Sequence, residues 1–97
     1  MKQVIAKIPY IVIKEARSYT AYSPALDLSS CGKSYKEAQQ MFHKAATLFV
    51  TELDKMGTLE EVLQECGWKK VGKELLAPEI VGNESDEIIL EKQLAHA

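Results

Sequence analysis

Residues 23–38 read SPALDLSSCGKSYKEA, and the fold class turns on how this stretch divides. Pro24 lacks the backbone donor a sheet ladder needs, so it ends the strand that precedes it and begins a corner. Residues 28–31 have the length of a short strand, and Gly32 stands where the chain must enter its next element tightly. Ser34 and Glu37 hold the S-x-x-E spacing of a capping box, in which a hydroxyl and a carboxylate each satisfy an orphan donor of a helix's first turn. The stretch therefore reads as strand end, corner, short strand and helix start.

Upstream, VIAKIPYIVIKEA alternates and then runs apolar through Ile11, Val12 and Ile13, which predicts a first strand over about residues 4–15 with Pro9 as an irregularity. YTAYS at 19–23 is the return arm of a hairpin. Downstream, Ala38, Met41, Phe42, Ala45, Leu48, Phe49, Leu53 and Met56 recur at steps of three and four and form one apolar stripe. The helix they predict runs about 22 residues, or ~33 Å. Gly57 suits its left-handed C′ position. Thr58 and Glu61 repeat the capping spacing ahead of a short second helix, which Gly67 ends, and residues 68–71, with Trp68, read as a fourth strand. Beyond it Pro78 and Gly82 break the pattern, and DEIILEKQL fits a strand or a short helix equally. The sum is an α+β domain: a three-stranded antiparallel sheet with a fourth edge strand, one long helix packed on one face and a short second helix.

At 97 residues the chain holds one core, with 46% apolar and 27% charged residues as in ordinary soluble domains. No run approaches the ~20 apolar residues of a membrane span, and the start has no secretory pattern, so a cytoplasmic protein is expected. Cys31 and Cys66 are then reduced thiols, and neither His43 nor His96 stands at ligand spacing with them. No metal and no cofactor is expected. Charge is asymmetric: six Lys and Arg face two acids through Lys36, whereas six Lys face twelve acids afterwards.

The order strand, strand, Pro-x-Leu corner, short strand, Gly-x-Ser-x-x-Glu-Ala and long helix resembles the HicB family of antitoxins and their stand-alone relatives. Tyr22, Pro24, Leu26, Gly32, Ser34, Glu37 and Ala38 carry the likeness, which covers about residues 4–71. Where many members continue from the Leu with Pro-Gly, this chain has Asp27 and Leu28. The resemblance implies a partial ribonuclease H-like fold over residues 1–71, with an acidic extension at 72–97. It further implies a binding protein that inhibits a small HicA-like toxin, a messenger-RNA-cleaving enzyme, by covering its active site. Full-length members add a DNA-binding module, for which the 26 residues after Val71 have neither the length nor two recognisable helices.

Catalysis is not expected. Metal-dependent nuclease chemistry needs carboxylates converging on two cations about 4 Å apart, and the strand YIVIKEA offers only Glu15 at its end. Asp27 sits at a corner, where its side chain suits turn chemistry. Cys31 reads as a small buried thiol, His43 as a surface residue, and Tyr10 and Trp68 as core or interface anchors. A toxin that binds RNA is basic, so the candidate partner-binding residues are the acids of the tail, Glu79, Glu84, Asp86, Glu87 and Glu91. The alternatives are an orphan regulatory or oligomerisation domain and a nucleic-acid-binding regulator using the basic front. A homodimer or dimer of dimers is expected, with the fourth strand or residues 88–90 contributing.

Overall fold

The computed structural model describes residues 3–92. The elements in chain order are β1 (Ile5–Lys7), β2 (Ile11–Lys14), β3 (Tyr19–Ser23), β4 (Leu28–Gly32), α1 (Tyr35–Lys55), α2 (Leu59–Glu65), β5 (Lys69–Val71) and β6 (Glu74–Leu76). The class is α+β, with two helices and two sheets of three strands each, ordered β2-β3-β4 and β1-β6-β5. The expected fourth strand, β5, does not join the first sheet's edge. It pairs antiparallel with β6, which in turn pairs parallel with β1. The folded body thus extends to Leu76, into the segment beyond residue 71 read as an extension, and Leu75 of β6 has no exposed surface.

The single first strand expected over residues 4–15 is divided at Pro9 into β1 and β2. The Ile5 N–H donates to the Lys73 carbonyl at 2.7 Å, and the Glu15 N–H to the Ser18 carbonyl at 2.8 Å. Backbone groups alternate sides along a strand, so odd-numbered residues face the partner strand in both halves. Side chains alternate as well: Ala6, Ile8, Tyr10 and Val12 all pack inward. The alternation runs unbroken through Pro9, and β6 and β3 follow one another along the same side of one run. Lys7 pairs with Leu76 and Ile11 with Tyr22. Pro9 stands between these pairings, where its missing N–H leaves no ladder bond unmade.

The helix signals act as their chemistry requires at three ends of four. The Ser34 hydroxyl accepts from the Glu37 N–H at 3.0 Å, and the Glu37 carboxylate accepts from the Lys33 N–H at 3.1 Å. After α1, Gly57 adopts φ 74, its N–H meets the Asp54 carbonyl and the Thr58 N–H meets the Leu53 carbonyl, the paired bonds of a Schellman stop. Gly67 (φ 90) and Trp68 repeat that pattern on Gln64 and Leu63. The exception is Thr58, whose side chain does not cap α2. Its φ of −114° and ψ of 3° belong to the preceding stop rather than to an extended cap, and its hydroxyl turns back to the Leu53 carbonyl at 3.4 Å.

Two interiors result. In one, Ala21, Ala38, Phe42 and Ala46 are buried, with Tyr10 stacked on Phe42 at 4.3 Å between centroids. In the other, Leu59, Leu63, Trp68 and Leu75 are buried, and Val50 and Leu53 bring α1 to it. Ile8 packs against both. The buried line on α1 is therefore Ala38, Phe42 and Ala46, continued at the same step of four by the half-buried Val50, and it differs from the stripe expected from sequence. Leu48 and Met56 are 63% and 69% exposed. They lie on the apolar arc of α1 that this small sheet does not cover.

Gly32 sets the helix in place. A Cβ there would stand 2.5 Å from the Ala38 nitrogen and 2.7 Å from the Glu37 carbonyl carbon, so β4 meets the first turn of α1 backbone to backbone. Chemical denaturation should accordingly show a loss of about 3 kcal/mol for Gly32→Ala through overpacking. Phe42→Ala should lose about 3–5 kcal/mol, whereas Leu48→Ala should stay within about 0.5 kcal/mol of the wild type.

Candidate partner-binding surfaces

The residues of the Pro-x-Leu to Glu-Ala motif are brought together as architecture. Pro24 and Leu26 form the turn between β3 and β4, closed by the Asp27 N–H on the Pro24 carbonyl at 3.4 Å. Asp27 adopts φ 50, a conformation that Asp tolerates better than most side chains. Leu26 and Ala25 pack on the second interior, and the Trp68 indole N–H donates to the Ala25 carbonyl at 3.4 Å. The corner is thus a joint between the hairpin and the chain's second half.

The same turn holds one polar pair at the surface. The Tyr22 hydroxyl donates to Asp27 Oδ1 at 3.0 Å. That hydrogen bond, followed by desolvation and the carboxylate's charge, raises the Tyr22 pKa above its ordinary value. Nearby, Thr20 Oγ1 donates to the Glu15 carboxylate. Cys31 is exposed, contrary to the buried thiol expected, because the twofold alternation of β4 turns it away from α1. Cys66 is also an exposed free thiol and His43 is exposed, while Trp68 and Tyr10 are interior anchors. His96 lies outside the described residues. Among the described residues, no group of three or more His, Cys, Asp or Glu side chains is placed to hold a metal ion, and no helix is long and apolar enough to cross a membrane.

The five tail acids are not gathered into a pocket. Residues 77–92 contain neither strand nor helix, so over its described residues 86–92 the segment DEIILEKQL forms neither of the two elements open for it, and Gln93 and Leu94 lie outside the described residues. Glu79 borders a cavity of about 370 Å³ together with Pro24, Asp27 and Cys66. Glu84, Asp86, Glu87 and Glu91 follow along an exposed arm whose apolar residues Val81 and Ile89 are each 90% exposed. The arm lengthens the molecule to 71 × 28 × 22 Å, with a radius of gyration of 18.3 Å against about 12–13 Å for a compact chain of this length. Acids thus flank an uncovered apolar triplet, Ile88, Ile89 and Leu90.

Two further surfaces lie outside the candidate residues named from sequence. The sheet face turned away from α1 carries exposed Ile11 and Ile13, and the outer edge of the run 4–14 has no neighbouring strand among the described residues. Ile11 and Ile13 were visible as odd positions of an alternating strand. The open edge was not, since it depends on which side β6 takes.

No protein-family model matches the chain, and no curated protein or solved structure matches it either.

Asp27→Asn should lower the Tyr22 pKa toward the ordinary phenol value, followed by NMR of its ring carbons. Since the folded pKa is the raised one, the bond's contribution is complete below the unfolded pKa and vanishes as pH rises through the folded value. The alkaline limb of a stability-pH curve should therefore flatten in Asp27→Asn.

Proposed function

We propose that the chain is a non-catalytic, antitoxin-type binding protein of HicB-like character, and that it inhibits a small, basic, HicA-like RNA-cleaving toxin by covering its active site. The observation that carries the reading is the arm. An apolar triplet, Ile88, Ile89 and Leu90, is held in water between Asp86 and Glu87 on one side and Glu91 on the other. Exposed apolar side chains in a row cost free energy unless a partner covers them, and flanking carboxylates suit a partner whose own site binds phosphates. The order β2, β3, Pro-x-Leu corner, β4 and α1 supports the family likeness at the level of element order, with Gly32, Ser34 and Glu37 in the parts that order needs. β1, β6 and β5 form a second sheet beside that order.

The toxin class is tested first at the genetic level, because antitoxin and toxin of this kind are expected side by side. A short basic HicA-like reading frame next to this one supports the reading, and its absence removes it. With that protein in hand, equimolar chain should abolish its RNA cleavage, and undiminished cleavage would refute inhibition. Asp86→Asn, Glu87→Gln and Glu91→Gln combined should slow association about tenfold at low salt and flatten its salt dependence. Equal association rates for the triple variant and the wild type would take the arm out of the interface.

A further inference from the structure

We propose that the protein forms a twofold dimer in which the open edge of the run 4–14 pairs antiparallel with the same edge of a second copy. This goes beyond the toxin reading and does not rest on it.

The edge follows from the hydrogen-bond parity of the run. Odd-numbered residues face β6 and β3, so Ala6, Val12 and Lys14 aim their N–H and C=O groups outward, where no strand pairs among the described residues. Pro9 is odd-numbered, so the donor it lacks is not an outward one, and the edge passes it without losing a bonding group. An unpaired edge of this length is a template for another strand.

Beneath the edge, α1 and the strand leave a groove. Two adjoining cavities of about 420 and 320 Å³ are walled by Val4, Ala6 and Ile8 on the strand side and by Ala46, Thr47 and Val50 on the helix side. A strand added to the edge turns alternate side chains toward this groove.

Charge selects the occupant. At the Val4 and Ala6 end, the cavity wall carries Asp54, while Glu60 beside it is ion-paired with Lys70 at 2.7 Å. At the other end of the same run stand Lys14 and, just beyond, Arg17. Antiparallel pairing about a twofold axis near Tyr10 sets Lys14 of one copy opposite Ala6 of its partner, on the α1-facing side, beside Asp54. Symmetry repeats the contact, so each basic end meets an acidic one. The arm of a second copy is the competing strand, and it fits worse, because its Asp86 and Glu87 would meet Asp54.

The test is sedimentation equilibrium on the full chain without toxin. The wild type should be dimeric at tens of micromolar. Lys14→Glu alone and Asp54→Lys alone should each raise the dissociation constant about tenfold or more, through two symmetric repulsions. The double variant should return to within about threefold of the wild type, since only a pair facing across the interface is restored by exchanging its charges. Ile88→Asp with Ile89→Asp should leave the dimer unchanged. A monomeric wild type, single variants without effect, a double variant without recovery, or a dimer lost on changing Ile88 and Ile89 would each overturn the proposal. Lys14 and Asp54 are exposed, so thermal melts should show all these variants folded.

Discussion

The contact between the end of β4 and the first turn of α1 governs the remaining geometry. With only a hydrogen on Gly32, the strand backbone lies against the Glu37 and Ala38 backbone. That distance admits only small side chains at the helix-sheet seam, and Ala21, Ala38 and Ala46 occupy it. Phe42 then fills the wider space beside them, where Tyr10 can stack on it. The helix axis is fixed at its N-terminal end by this approach and by the Ser34 and Glu37 caps. Its far end consequently delivers Val50 and Leu53 to the second interior. One missing methyl group thus sets how closely the first turn of a 21-residue helix lies on its sheet.

Local chemistry was readable in the sequence to the extent that it stayed local. Ser34, Glu37, Gly57 and Gly67 mark their helix ends because caps and stops are made by residues a few positions apart. Thr58 shows the limit. Its spacing to Glu61 is that of a capping box, yet the residue serves first as the second residue of the preceding stop, and one backbone conformation cannot satisfy both. Leu48 shows another limit. The apolar arc of α1 is wider than the surface available to cover it, and which part is buried depends on Gly32 at the other side of the seam. β6 was missed for a third reason: residues 74–76 have little pattern of their own, and β1, from the opposite end of the chain, supplies their parallel partner. The tail acids were found as a composition bias, but their presentation on an extended arm is a matter of three-dimensional placement.

The two interiors share few residues. Ile8 touches both from the strand side, and α1 spans them from the helix side. The ion pairs Lys7 with Glu74 at 3.3 Å and Lys70 with Glu60 at 2.7 Å lie at the surface of the second half, where such pairs are worth about 0–1 kcal/mol each. Cohesion between the halves therefore rests on Ile8, the helix and the turn after β3 rather than on charge.

Trp68 gives that cohesion an optical signature. It is the chain's one tryptophan, it is 3% exposed, and its indole hydrogen bond reaches the Ala25 carbonyl, 43 residues away in sequence. An indole held between two halves in this manner emits from a dry, polar-bonded environment only while the halves are docked. Intrinsic fluorescence is then a probe of docking rather than of helix content. Circular dichroism, dominated by α1, follows the other process. If the two signals separate during unfolding, the second half has come away while the long helix is still wound on its sheet.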